Sequence, residues 1–275
     1  MRRTLALVPA LLVLSALLGG CTGPAGPPPD LGAAGSFAVL AGSGITNTGT
    51  TSITGDVGSH PTPAQTGFET VTLVGMNHHD DVTTQQAKVD LAAAYEDARD
   101  RTGSAPVGDL GGQTLVPGVY RDDDAPDSMA ITGTVTLDGL GDPGSVFIFQ
   151  SGSTLVTASA SAVVLTNGTQ ACNVFWQITS SATLGTDSQF AGTILALTDI
   201  TLDTGATVTG RILARNGAVT LDNNTIVHTS CLSSTTSSAP TSTSPSVPVF
   251  PTQLVAILAG TGAIVASAFV WRQRK

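Results

Sequence analysis

Carboxylates dominate the side chains that could do chemistry. Asp138, Asp203 and Asp222 each close a Thr-Leu-Asp run that reads as a short strand. Two such groups about 5 to 9.5 Å apart in a cleft would suit glycoside cleavage. An Asp that ends a strand also accepts turn N–H bonds, and no basic or aromatic residues cluster with these three, so the pattern argues against an enzyme. Asp122-Asp123-Asp124 with Asp127 supplies oxygen ligands of the kind Ca²⁺ takes, but in a spacing that fits no known loop. His78-His79-Asp80-Asp81 has metal-ligand residue types. Adjacent histidines diverge on most backbones, and the better reading is the entry to a helix. No nucleophile elbow, phosphate loop or CxxC is present, so neither a metal nor a cofactor is expected.

Charge narrows the partners. Residues 31–232 hold nineteen acidic and six basic side chains, and only 11% of the whole chain is charged. A domain this negative is not drawn to phosphate backbones, which excludes nucleic acid as a natural partner. Its surface must instead be dressed with Thr, Ser, Asn and Gly.

Both ends carry targeting signals. Arg2 and Arg3 precede an apolar stretch, Leu5 to Leu18, too short to span a bilayer comfortably. Leu18-Gly19-Gly20-Cys21 resembles a bacterial lipobox, which gives a signal peptide over 1–20 and a lipid on Cys21. The plainer alternative is an ordinary secretory signal with a coincidental cysteine. A Pro-rich tether is expected over 21–30, and a folded domain over 31–232. Residues 233–248 are almost all Ser, Thr, Pro and Ala and read as a stalk that cannot bury enough surface to fold. Residues 249–271 carry no charge and are long enough for a transmembrane helix. Arg272, Arg274 and Lys275 form a tail that stays cytoplasmic. The expected location is the bacterial cell surface, with the chain exported and membrane-anchored.

Cys172 and Cys231 remain. An oxidising compartment favours pairing them, and closing a loop of about 60 residues is worth about 4 kcal/mol in the loop-entropy model. Two buried free thiols are the alternative.

The elements that must position these residues show through a repeat. Gly192-Thr-Ile-Leu-Ala-Leu-Thr-Asp-Ile-Thr-Leu-Asp203 is echoed by Gly210-Arg-Ile-Leu-Ala-Arg-Asn-Gly-Ala-Val-Thr-Leu-Asp222, offset by 18 residues at the start and 19 at the end. Ile200 and Leu202 point one way in a strand, Thr201 and Asp203 the other, and Val219 and Leu221 oppose Thr220 and Asp222 in the same manner. Apolar inside and hydroxyl outside at this period describes coils of a parallel β-solenoid. Phe147, Phe149, Phe175 and Phe190 are candidates to fill its interior. Phe37 to Val57 is strand-like but less regular, as a cap or an out-of-order coil would be. Asp81 to Arg101 reads as one helix, capped by Asp80 or Asp81, with Ala87, Leu91, Ala94, Tyr95 and Ala98 on one face. It must pack on the solenoid flank.

The motifs together resemble a known family. Phe37-Ala-Val-Leu-Ala-Gly-Ser-Gly-Ile-Thr-Asn-Thr-Gly, Thr54-Gly-Asp-Val-Gly58, Gly118-Val-Tyr120, Asn173-Val-Phe-Trp-Gln-Ile178 and Phe190-Ala-Gly-Thr-Ile-Leu-Ala196 look like the bacterial and fungal ice-binding-like proteins. The resemblance implies a mainly β fold: an irregular right-handed parallel β-solenoid, triangular in section, with one long α-helix packed alongside. It also implies adsorption to ice and its ordered water through a flat face of short polar residues. No chemistry is expected, and the domain is expected to be monomeric.

A Thr array suits that task. Thr carries both hydroxyl and methyl, and its β-branch fixes χ1. Active family members often show Thr-Ala/Gly-x-Thr/Asn. Thr48-Gly-Thr-Thr51 and Thr204-Gly-Ala-Thr207 match it, while Ser151-Gly-Ser-Thr154 and Ser180-Ser-Ala-Thr183 are weaker versions. With Thr209, these give the candidate ice-binding set Thr48, Thr51, Ser151, Thr154, Ser180, Thr183, Thr204, Thr207 and Thr209. Thr is also common in strands for its shape alone. The competing reading is a non-catalytic adhesin that binds glycan or protein with the same solenoid.

Overall fold

The computed structural model describes residues 25–103, 105–106, 108–122 and 128–232. The expected signal peptide, Cys21, Asp123, Asp124, Asp127, the stalk and the apolar segment 249–271 lie outside the described residues. Among the described residues no helix is long and apolar enough to cross a membrane.

The chain winds through three parallel ladders that form the faces of a solenoid. Face A stacks β8 (Ala105–Pro106), β10 (Gly118–Asp122), β13 (Phe147–Ser151), β16 (Val174–Ile178) and the second halves of β18 (Gln189–Ala196) and β20 (Thr207–Ala214). It continues through β1 (Phe37–Ala41), β4 (Asp56–Ser59) and β7 (Asn77–His79). Face B stacks β11 (Met129–Ile131), β14 (Leu155–Thr157), β17 (Ala182–Leu184), β19 (Ile200–Leu202), β21 (Val219–Asp222), β2 (Ile45–Thr48) and β5 (Gln65–Thr66). Face C stacks β9 (Thr114–Leu115), β12 (Thr134–Asp138), β15 (Ala162–Thr166) and the first halves of β18 and β20. It ends with β22 (Thr225–Val227), β3 (Ser52–Thr54) and β6 (Thr72–Val74).

The N-terminal coils are therefore out of order: they stack beyond the C-terminal ones, with β1 pairing in parallel with β20 and β2 with β21. One helix, α1 (Val82–Asp100), carries the chain back from β7 to β8. Its 19 residues rise about 28 Å at 1.5 Å each. The eight steps from β7 to β8 cover about 38 Å at about 4.8 Å each, so helix and flanking loops together span the stack.

Composition decides which face the helix covers. Face A strands such as Phe147-Ile-Phe-Gln-Ser and Val174-Phe-Trp-Gln-Ile are buried at every position, the mark of a sheet packed on both sides. Their inward side carries Tyr120, Phe149 and Trp176, and Phe190 from the face C half of β18 completes an aromatic ladder with successive centroids 5.3, 4.0 and 5.0 Å apart. Their outward side, with Phe37, Leu40, Ile148, Phe175, Leu195 and Leu213, meets Ala87, Leu91, Ala94, Tyr95 and Ala98 of α1. Phe175 thus packs under the helix, not in the interior. Trp176 takes the inward place because neighbours along a strand alternate.

The caps of α1 follow its residues. The Asp81 carboxylate accepts from Thr84 N–H and Thr84 Oγ1, both at 2.8 Å. His78, 2.6 Å away, and the Thr84 N–H hold the Asp81 pKa down at about 2. At the other end Gln150 Nε2 reaches the orphan carbonyls of Ala98, Arg99 and Arg101 at 2.7, 3.0 and 2.8 Å. Lys88 Nζ donates to the carbonyls of Ala214 and Arg215, each at 2.6 Å. Burial, with Arg215 as the lesser cause, lowers its pKa to about 7. Residues from Ala25 onward, expected to form a tether, already pack on this side: Ala25 is buried, and its carbonyl accepts from Arg101 Nη1 at 2.8 Å.

Candidate binding face

Face B is one of the two sides left open by the helix. Its strands alternate, as Ile-Thr-Leu and Val-Thr-Leu-Asp do in sequence: Ile200, Leu202, Val219 and Leu221 are buried while Thr201 and Thr220 face out. The outward residues fall in register from coil to coil. Ala130 pairs with Val156, Val156 with Thr183, Thr183 with Thr201, Thr201 with Thr220, Thr220 with Thr46 and Thr46 with Thr66. Five threonines thus stand in one line, followed by valine and alanine, at a spacing of about 4.8 Å. No charged residue interrupts it.

Carboxylates beside the line are tied down along the surface. Asp222 accepts from Thr48 Oγ1 at 3.0 Å and from Thr204 Oγ1. Asp199 accepts from Ala218 N–H at 2.8 Å. Asp138 lies elsewhere, at the end of a face C strand. It accepts from Leu140 N–H at 2.8 Å and Asn167 Nδ2 at 2.9 Å, which hold its pKa below the usual range. The three strand-end carboxylates are therefore not brought into one cleft.

The expected site residues scatter. Thr183 stands in the line and Thr48 in the row beside it. Thr204 sits on the corner between faces B and C. Thr207 and Thr209 project from face C. Thr51 and Ser151 are buried; Thr51 accepts from Asn224 N–H at 3.1 Å and Ser151 Oγ donates to Thr154 O at 3.0 Å. Ser180 and Thr154 lie on the corner between faces A and B.

The four-residue pattern has a structural cause instead. Gly49 and Gly205 are turn residues of the corner between B and C, where Gly133, Ala160, Asp187, Gly205, Asn223, Gly49 and Gly67 all have positive φ. Each coil turns there through a left-handed residue, which glycine adopts without cost. Thr46, Thr66, Thr201 and Thr220, absent from the expected set, make up most of the line. For Thr201 and Thr220 the signal was the apolar-Thr-apolar triplet, Ile200-Thr-Leu and Val219-Thr-Leu; Thr46, before Asn47, and Thr66, between Gln65 and Gly67, carry no such signal.

The remaining motifs are local. His78 pairs with Asp81 and His60 with Asp80 at the helix entry. Among the described residues no three His, Cys, Asp or Glu side chains are placed to hold a metal.

The model of the ice-binding-like family matches residues 39–227. The chain belongs to that family. An ice-binding protein of a Nostoc strain is 50% identical over 203 residues, 71% of this chain and 72% of its own length. The ice-binding-like fold recurs in the crystal structure of an ice-binding protein from an Antarctic biological consortium, with 47% identity, a TM-score of 0.71, and coverage of 73% of this chain and 91% of that one. The ice-binding protein of the Antarctic ascomycete Antarctomyces psychrotrophicus gives 43%, 0.70, 73% and 98%.

Proposed function

We propose that this protein binds ice through face B, by adsorption and without catalysis. The line of threonines carries the reading. Each Thr offers a hydroxyl to ordered water and a methyl to its voids, and its χ1 is already fixed, so little side-chain entropy remains to be lost on binding. Repetition at the strand spacing turns weak contacts into an array. The names of the Nostoc and Antarctic relatives support the same reading.

The ends extend it. A lipid on Cys21 and a membrane helix over 249–271 would hold the domain at the cell surface, with 233–248 as a stalk. A tethered binder serves adhesion to ice, or protection close to the cell, better than a diffusing antifreeze. The neutral length of 249–271 and the basic residues behind it support this.

The test is thermal hysteresis and crystal shape with the whole chain beside Thr201→Tyr, which sets a bulky ring in the middle of the line. Faceted crystals and a freezing gap, both lost in the variant, are the expected result. Unshaped crystals at high protein concentration would sink the ice reading and promote the adhesin.

A further inference from the structure

The last strand among the described residues is not at an end of the stack. β22 lies between β20 and β3, with Thr225 paired to Thr207 and Ser52, and Val227 to Thr209 and Thr54. On face C this three-residue strand is the seam between the C-terminal coils and the out-of-order N-terminal ones. The same coil supplies Thr220, which meets Thr46 across the seam on face B.

Beyond β22 the chain does not leave directly. Cys231 is bonded to Cys172, with Cα atoms 5.5 Å apart. Leu232 is clipped twice by Gln170, N–H to Oε1 at 2.7 Å and Nε2 to the Leu232 carbonyl at 3.2 Å. Gln170 Nε2 also reaches the Pro143 carbonyl at 2.7 Å. Cys172 belongs to the turn that leads into β16, two strands down face A from β20.

We propose that this staple is a force clamp. Tension arriving through the stalk enters at Cys172, and so reaches the body of the solenoid without passing through β22. Without the clamp the same pull would reach the Thr229 carbonyl, held by Arg211 Nη2 at 3.4 Å, and then His228. It would load the hydrogen bonds of β22 one at a time, the weakest way to load a strand. Losing β22 would open the seam beside Thr220 and Thr46, in the middle of the threonine line. The clamp rests on the tethered ice adhesion proposed above.

The experiment is optical-tweezers stretching of the full chain between handles at its two termini. Wild type is expected to hold its fold until one cooperative rupture. Cys172→Ala/Cys231→Ala is expected to lengthen first at low force by about 28 Å, the eight residues from Thr225 to Leu232 at about 3.5 Å each. Should that variant fail to fold, wild type reduced in the trap after folding gives the same comparison. Without load, ice shaping by the reduced protein should be unchanged. Early lengthening in wild type, or identical rupture with and without the bond, would overturn the clamp. No ice is used in the stretching, so a protein that holds its clamp yet leaves ice unshaped would overturn the ice reading alone.

Discussion

Faces B and C are built from nearly the same residues, yet only one presents an unbroken array. Face C has its own outward row: Thr134, Ala162, Gln189, Thr207, Thr225, Ser52 and Thr72. Gln189 breaks it with a long flexible amide. The next row, with Thr209, is crowded by the staple: Leu165, Ala171, Cys172, Thr209 and Leu232 line one shallow cavity of about 240 Å³. Face B has no such insertion, and its five threonines are consecutive. On the proposed function, register and clearance distinguish face B from face C, and threonine content does not.

The sharpest way to break this contrast is to move one tyrosine between the faces. Thr46→Tyr on face B should remove most of the thermal hysteresis, whereas Thr225→Tyr or Thr207→Tyr on face C should leave most of it. Equal losses from both faces would end the distinction. A smaller effect in the opposite direction is expected from Val156→Thr. Val156 is 42% exposed and in register with Thr183. The change swaps a methyl for a hydroxyl of the same shape and lengthens the line, so hysteresis should rise; an unchanged value would mean that methyls suffice at that end.

Face A gives the control, since α1 blocks it and should matter to stability alone. Charged Lys88 is disfavoured in the fold, its pKa falling from 10.5 to about 7. Between those values the unfolded chain holds the extra proton, so stability should rise with pH from about 7 to about 10.5. Lys88→Met should flatten that slope in urea titrations, without altering crystal shape. The smallest effect belongs to Asp81→Ala, which removes the N-cap. It should cost about 1 kcal/mol in the same titrations and leave ice activity intact.

Much of the fold was legible because its causes are local. The 18- to 19-residue echo exposed the coils, and α1 starts on its Asp81 cap. Cys172 and Cys231 are bonded as an oxidising compartment favours. The site was less legible because its cause is distant. Thr46 stands beside Thr220 only because β2 stacks on β21, and nothing within either segment states that register. The Thr-Gly-x-Thr pattern belongs to the left-handed corner, where the positive φ of Gly49 and Gly205 makes glycine a backbone requirement. Trp176 holds the interior place expected of Phe175 because both sides of a face A strand are buried, so apolar character alone does not assign a side.

The seam has a kinetic consequence. It joins Thr48 to Asp222, 174 positions apart, and no shorter-range contact can substitute for it. Such non-local pairing is slow to form, since the loop must close before its contacts repay the loss of chain freedom. The first coil to be synthesised, Phe37 to Ser59, has no neighbour on its β20–β22 side until the last one arrives. The amino-terminal third therefore stays incomplete until the chain is finished, and the domain acquires its binding surface in a single late step.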